Sequence, residues 1–411
     1  MTETPVSVVI VSRGRPAALA RCLTGVSQLV YPNYEVIVVA DPEGIGAAEQ
    51  SSFANHLKLI KFDEANISKA RNVGIAAAAG EIVAFIDDDA VPEPTWLNHL
   101  AQPFAEEDVL IAGGFVRGRN GISFQWQARS VDRSGEALPI EVDSEKPTVL
   151  SPSGDYAIKT EGTNMAVRRE VLAELGGFDP AYHFCFDETD LNMRIAVLDG
   201  ATAIVPLAEV HHGFHASDRR GHNRVPRDLS DLGASTAVFL RKHCPEPRHA
   251  AVWAKLQREQ KNRLLRHMVT GDLEPGDVRR LMAGLRKGYE AGQKREVDSQ
   301  KPIPRAVEGF RSFPGKAGQP SVLLAGGLWR RRKILREAFA ARDRGAIVTA
   351  FIFSRTGVFH RVRFRDGIWV QRGGLFGKSR RTDPWFRLTL FNRRVRSERA
   401  RVAEQRALLE E

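Results

Sequence analysis

The chain opens on a β-branched run, Val6-Ser-Val-Val-Ile-Val11, closed by the polar, glycine-containing Ser12-Arg-Gly-Arg15. A short continuous apolar run between turn signals predicts a strand buried on both faces. Pro16 then heads a stretch in which Leu19, Cys22 and Leu23 recur at helical spacing, with proline where its missing N–H is not needed. The alternation repeats. A second strand over 35–40 ends at Asp41-Pro-Glu-Gly; a third over 56–62 precedes an alanine-rich helix over 67–79, stopped by Gly80; a fourth, Ile82-Val-Ala-Phe-Ile86, runs into three aspartates. Strands alternating with helices predict an α/β fold with a mainly parallel sheet covered on both faces. Ligands of such sheets sit at the carboxyl ends of the strands, where each of these polar clusters lies.

Farther along, the pattern is less regular. Residues 124–153, with scattered charge and prolines, are expected as a loop that orders over a substrate. Residues 162–164 lead into a helix over 168–175, halted by Gly176-Gly177. The acidic cluster Asp187-Glu-Thr-Asp190 precedes a helix over 191–198, and a strand over 202–210 ends on His211-His212. Residues 241–299 are charged and helical in pattern, and 302–319 read as a linker. The last segment predicts a strand over 322–325, a basic helix over 329–344, a strand over 346–353, a hairpin turning at Asp366-Gly367 and a final arginine-rich helix. The expected organisation is therefore a catalytic α/β domain over 1–240, a helical extension over 241–300, a linker over 301–320 and a small basic α/β region over 321–411.

With 411 residues, 43% hydrophobic and 27% charged, the chain is globular in character. No run approaches the roughly 18 uninterrupted apolar residues of a spanning helix. Residues 1–5 lack the charged-then-apolar layout of a secretory signal, so a cytoplasmic location is expected. Three widely spaced cysteines match neither a zinc pattern nor a disulfide framework. The net charge of +10 suggests a polyanionic partner.

Asp87, Asp88 and Asp89 follow an apolar strand, and burying three adjacent carboxylates without counter-charge is costly. A divalent cation that takes oxygen ligands, Mg²⁺ or Mn²⁺, bridging them to a diphosphate meets that need. The surrounding motifs, Phe85-Ile-Asp-Asp-Asp-Ala-Val-Pro92 after Ile67-Ser-Lys-Ala-Arg-Asn-Val-Gly74, closely resemble the core signature of family 2 glycosyltransferases of the GT-A fold. Further resemblances follow the family's order, Val6 to Arg15, Val36 to Asp41, Gly162-Thr-Asn-Met-Ala-Val-Arg-Arg169, Gly176-Gly-Phe-Asp179 and Asp187-Glu-Thr-Asp-Leu-Asn-Met-Arg194, so the resemblance spans about residues 5–215.

The resemblance implies a role for each matching residue. Asp87 and Asp89 would bind the metal, Asp41 would contact the nucleotide base, and Ser12, Arg15, Arg71, Asn72 and Asp88 would line the donor site. Gly162, Thr163 and Asn164 match the acceptor-side loop. The family usually shows Glu-Asp-x-Asp where this chain has Asp187-Glu188-Thr189-Asp190; Glu188 falls on the family's base, and the exchange leaves Asp187 or Asp190 open. His211 and His212 stand where many members carry a histidine that completes the metal shell, and either one fits. The implied reaction is inverting transfer of a sugar from a nucleotide-diphosphate donor to an acceptor hydroxyl, on a growing polysaccharide or lipid-linked glycan. Such transfer needs a base opposite a leaving group whose charge the metal absorbs.

Two other classes compete: a noncatalytic nucleotide-sugar-binding module, which the intact candidate base argues against, and a nucleic-acid-binding protein. The arginines of the last third form no recognisable nucleic-acid motif, so no nucleic-acid partner is expected. Trp385, Phe386, Leu388, Leu390 and Phe391 beside Arg393, Arg394 and Arg396 suggest instead peripheral contact with an anionic membrane.

Overall fold

Apolar, largely β-branched runs form β-strands at the start of the chain. The computed structural model describes residues 3–152, 155–213, 221, 225–298 and 300–408. Met1, Thr2, Ser153 and Ser299, at the ends of segments expected from the sequence, lie outside these. The chain begins β1 (Val6–Ser12), α1 (Pro16–Val26), β2 (Tyr34–Ala40), α2 (Pro42–Glu49), β3 (Leu57–Lys61), α3 (Ile67–Ala77) and β4 (Ile82–Asp87). These four strands pair in parallel, β1 lying between β2 and β4.

Beyond β4 come β5 (Ala90–Pro92), α4 (Trp96–Ala101), β6 (Val109–Arg117), β7 (Phe124–Trp126), β8 (Arg129–Asp132), β9 (Ala137–Pro139), β10 (Thr148–Leu150), β11 (Tyr156–Lys159), β12 (Met165–Arg168), α5 (Arg169–Glu174), α6 (Asp187–Ile195) and β13 (Ala201–His212). The main sheet runs β10-β13-β6-β12-β4-β1-β2-β3. It is parallel at one end, with β12 antiparallel between β4 and β6. One apolar cluster packs α1 and α4 against one face, through Leu19, Leu23, Trp96 and Leu100. Another packs α3, α5 and α6 against the opposite face, through Ile75, Leu172 and Leu191. This is the α/β architecture expected of the GT-A fold.

Three sequence readings are corrected. Residues 124–153 hold short strands rather than one loop, two of them joining the main sheet and two a small sheet ordered β11-β8-β9. Residues 162–164 enter the central strand β12 before any helix starts, and α6 begins at Asp187 rather than after the acidic cluster.

Three helices follow: α7 (Ser230–His243), α8 (Glu246–Val269) and α9 (Pro275–Gly292). Residues 301–320 form no helix or strand, yet they are pinned to the first sheet. Phe313 is buried against Tyr34 and Phe53, at ring distances of 5.4 and 5.5 Å, and the Arg311 amide donates to Glu35.

The last part contains β14 (Ser321–Gly327), α10 (Arg331–Asp343), β15 (Ile347–Ser354), β16 (Arg361–Arg365), β17 (Ile368–Gly374) and α11 (Phe391–Val402). Its sheet is ordered β14-β15-β17-β16. The hairpin turns at Asp366-Gly367, both in the left-handed region with φ of 49° and 77°, as a two-residue turn of twist-matched hand requires. Val362, Phe364 and Trp369 pack on Val91 and Ile122, so this unit rests directly on β5. No helix among the described residues is long and apolar enough to cross a membrane.

Candidate active site

β4 ends at Asp87, where the apolar residues stop, and the turn that follows sends Asp88 one way and Asp87 and Asp89 another. Asp88 is fully buried; it accepts from the Ser12 hydroxyl at 2.7 Å and pairs with Arg15 at 2.7 Å. Burial pushes its carboxyl up to about 7 even with Arg15 beside it. Asp87 and Asp89 turn toward the end of β13, where His212 Nε2 lies 3.1 Å from Asp89 and 3.8 Å from Asp87. The ligand atoms of these three residues fall within 4.8 Å of one another. Two carboxylates and an imidazole suit a divalent ion such as Mn²⁺ or Mg²⁺, so the residues present fit the metal that the sequence calls for.

Successive side chains on a strand point to opposite faces, which separates the two histidines. His211 turns away from the aspartates and contacts Glu93 at 2.7 Å. It belongs to a second cluster, Glu93, Glu209 and His211, whose acids are already held by Arg406 and Arg117. Of the two histidines, the structure brings only His212 to the aspartates.

Arg71 ties the two halves of the site together. Although it projects from a helix, its side chain is only 4% exposed; it pairs with Asp187, reaches Asp87 at 3.2 Å and donates to the Gly162 carbonyl at 3.2 Å. Its guanidinium also lies over Phe178, 5.1 Å from the ring centroid. Burial works against its charge, and Asp187 and Asp87 outweigh it. Gly162 is glycine for this reason: a Cβ there would sit 2.7 Å from the Arg71 guanidinium.

Asp187 and Glu188 open α6, immediately after Cys185 and Phe186, both in the left-handed region with φ of 66° and 64°. Such backbone is costly for non-glycine residues and clusters at functional sites. Burial raises Asp187, with Arg71 opposing. Burial acts on Glu188 too, but Lys159, at 2.8 Å, overrides it and holds the carboxyl well below its usual range. Glu188 therefore stays ionised, and its side chain is 18% exposed against 4% for Asp187.

Other residues named from the sequence lie nearby but are engaged structurally. Asp41 caps α2 through the Gly44 amide and accepts from the Gly14 amide, fixing the Ser12–Arg15 turn. Asn72 bonds both ways to Phe178, and Asn164 accepts from Trp96 and donates to the Phe115 and Ala208 carbonyls. Neither amide faces the carboxylates. The Thr163 hydroxyl is buried. Asp190 is buried among Arg194, Lys242 and His243, which overcome burial and hold it ionised. It anchors helix α7 and is removed from the Arg71 cluster.

Sequence reasoning missed Lys159, Glu93, Glu209 and Arg406. No motif marks them; Lys159 shows only as a charge at a strand end, and Arg406 as one arginine in a basic tail. The Glu93–Arg406 pair is doubly bonded, at 2.9 and 3.0 Å, with side chains 2% and 1% exposed. Removing one partner of such a pair leaves a buried charge. Arg406→Met is therefore expected to lower unfolding stability by about 3–5 kcal/mol, read by chemical denaturation. Adding Glu93→Gln should recover part of that loss; an unaltered midpoint for Arg406→Met would count against the clasp.

A mainly parallel sheet with carboxylates and arginines at the carboxyl ends of its strands defines an α/β architecture of the kind that takes ligands at those ends. Residues 7–176 match the model of glycosyl transferase family 2. Among curated relatives, the O-antigen biosynthesis protein RfbC of Myxococcus xanthus is 24% identical over 57% of this chain and 19% of its own length. Glycosyltransferase AglE of Haloferax volcanii is 26% identical over 42% of this chain and 55% of its own. The mannosyltransferase PcManGT of Pyrobaculum calidifontis, solved in complex with GDP-Man and Mn²⁺, is 17% identical, covering 71% of this chain and 88% of that one at a TM-score of 0.43. The chain spans about a fifth to a half of the length of the two curated relatives.

Proposed function

We propose that this chain is a metal-dependent, inverting glycosyltransferase that moves a sugar from a nucleoside-diphosphate sugar to an acceptor hydroxyl. The observation that carries the reading is Arg71, one buried guanidinium shared between Asp87 of the metal-fitting cluster and Asp187 at the head of α6. It holds donor-side and acceptor-side carboxylates at a fixed separation, as displacement at a single carbon demands. Asp87, Asp89 and His212 would hold Mn²⁺ or Mg²⁺, which when bound neutralises charge on the diphosphate leaving group.

The chain's own residues supply the rest. Arg15, fixed by Asp88, stands at the edge of this cluster to meet phosphate oxygens. Asp41 and Ser12 shape the turn beside the nucleotide. Glu188, kept ionised by Lys159, takes the proton from the acceptor hydroxyl. Asp187 positions Arg71, and Asp190 positions α7. The names of the relatives support a glycan acceptor, on a polysaccharide or a lipid carrier.

Incubating the chain with a panel of nucleoside-diphosphate sugars, with Mn²⁺ or with chelator, tests the reading. Metal-dependent release of nucleoside diphosphate supports it. Tight binding of a donor with no turnover in any acceptor extract would leave a noncatalytic binding module instead.

Contact with an anionic bilayer belongs to the same reading. Trp385, Leu388 and Leu390 are 77–78% exposed beside the arginines of α11, a mixture that suits the headgroup boundary. Sedimentation with anionic but not neutral vesicles is the expected result; equal pelleting with both would end the membrane reading.

A further inference from the structure

The carboxyl ends of β14, β15 and β17 open on a cavity of about 590 Å³ that lies outside the candidate active site. That volume is within the range of small-molecule sites. Its wall carries Arg361 and Arg363 of β16, Arg372 of β17 and Arg331 at the start of α10. Alternation along β16 puts these arginines on the face opposite Val362 and Phe364, which are committed to the first domain. Arg361 stands directly across from Arg372 in the hairpin register, and like charges placed opposite one another destabilise a sheet.

Among the described residues none of these four guanidiniums has a carboxylate partner, whereas Arg365, also on the wall, pairs with Asp366. No Asp or Glu lines the cavity. Such a concentration of positive charge favours an anionic ligand.

The floor is apolar. Leu335, Ile352 and Val370 form it, and Val358 and Phe359 at the rim remain 62% and 46% exposed. The lining contains no Asn, Gln, His, Asp or Glu side chain to read sugar hydroxyls or a base edge. Guanidinium groups grip phosphate oxygens in pairs, and the remaining wall suits a hydrocarbon body. We propose that this cavity is a second ligand site, for the phosphate monoester of an apolar alcohol. The inference does not depend on the transferase reading. A lipid in a bilayer and a soluble ester share the required chemistry.

Calorimetric titration of the full chain with decyl phosphate, below its micelle concentration and in chelator, tests it. Saturable binding is expected, with inorganic phosphate and decyl maltoside each weaker by about tenfold or more. The double variant Arg361→Gln/Arg363→Gln should lose about tenfold or more of that affinity, with an unaltered thermal transition and metal-dependent nucleotide binding. Leu335→Gln should weaken decyl phosphate but not inorganic phosphate, separating floor from wall. Phosphatidylcholine vesicles containing phosphatidic acid distinguish the sources: arginine-dependent competition with decyl phosphate assigns the ligand to a bilayer, and its absence assigns it to solution. Equal binding of decyl phosphate by the parent and the double variant, or equal affinity for inorganic phosphate, would overturn the proposal.

Discussion

Asp89→Ala is expected to remove sugar transfer while leaving the protein folded. Asp89 lies within reach of both His212 and Arg15, so its loss takes one ligand from the metal-fitting cluster and leaves His212 and Arg15 beside Asp87 and Asp88. Losing several kcal/mol of charge stabilisation in the transition state corresponds to a fall of about 10²–10⁴ in rate. A second readout is independent of turnover. Nucleoside diphosphate with Mn²⁺ should raise the melting temperature of the parent but not of the variant, because binding to the folded state stabilises it by mass action. Full turnover of the parent in excess chelator would defeat the metal assignment.

Glu188→Gln should have the second large effect. It keeps the size of the side chain and its contact with Lys159 but removes the acceptor for a proton, so kcat should fall by about 10²–10⁴ while donor affinity barely changes. Asp187→Asn should act differently, because Asp187 holds Arg71 and its loss loosens the donor side as well. If Asp187→Asn alone reproduced the pure kcat loss while Glu188→Gln stayed active, the two acids would have to exchange roles. The order of acids in this chain makes that comparison informative, since the glutamate that carries the longer arm is also the more exposed.

Much of the first domain was legible because β1, β2 and β4 are mostly apolar runs, and each stops at residues that apolar surroundings would not tolerate. β12 was not, because Met165–Arg168 is four residues long and passes straight into α5 at Arg169; so short a run beside a helix reads as part of the helix. Motif matching found Arg71 and Asp187 as separate signals. Their contact spans 116 positions in sequence, and no local periodicity encodes it. The same blindness explains Asn72 and Asn164, whose place in a motif says nothing of direction, and whose amides turn to backbone. The histidine pair is the opposite case: period-two alternation already required that His211 and His212 face apart, but only the position of the aspartates decides which one matters.

The Glu93–Arg406 clasp also sets an order of events during synthesis. A ribosome adds roughly 5–20 residues per second, and 313 positions separate the two residues, so Arg406 emerges about 15–60 s after Glu93. Through that interval the acid behind β5 has no cation from the tail, and the burial it finally adopts is unfavourable for a lone carboxylate. Glu93 pairs with His211, whose neighbour on β13 is His212. The nascent strand that will carry His212 therefore waits for Arg406 to emerge before this clasp can close. A chain released before Arg406 would carry Glu93 behind the His211–His212 strand without its arginine partner.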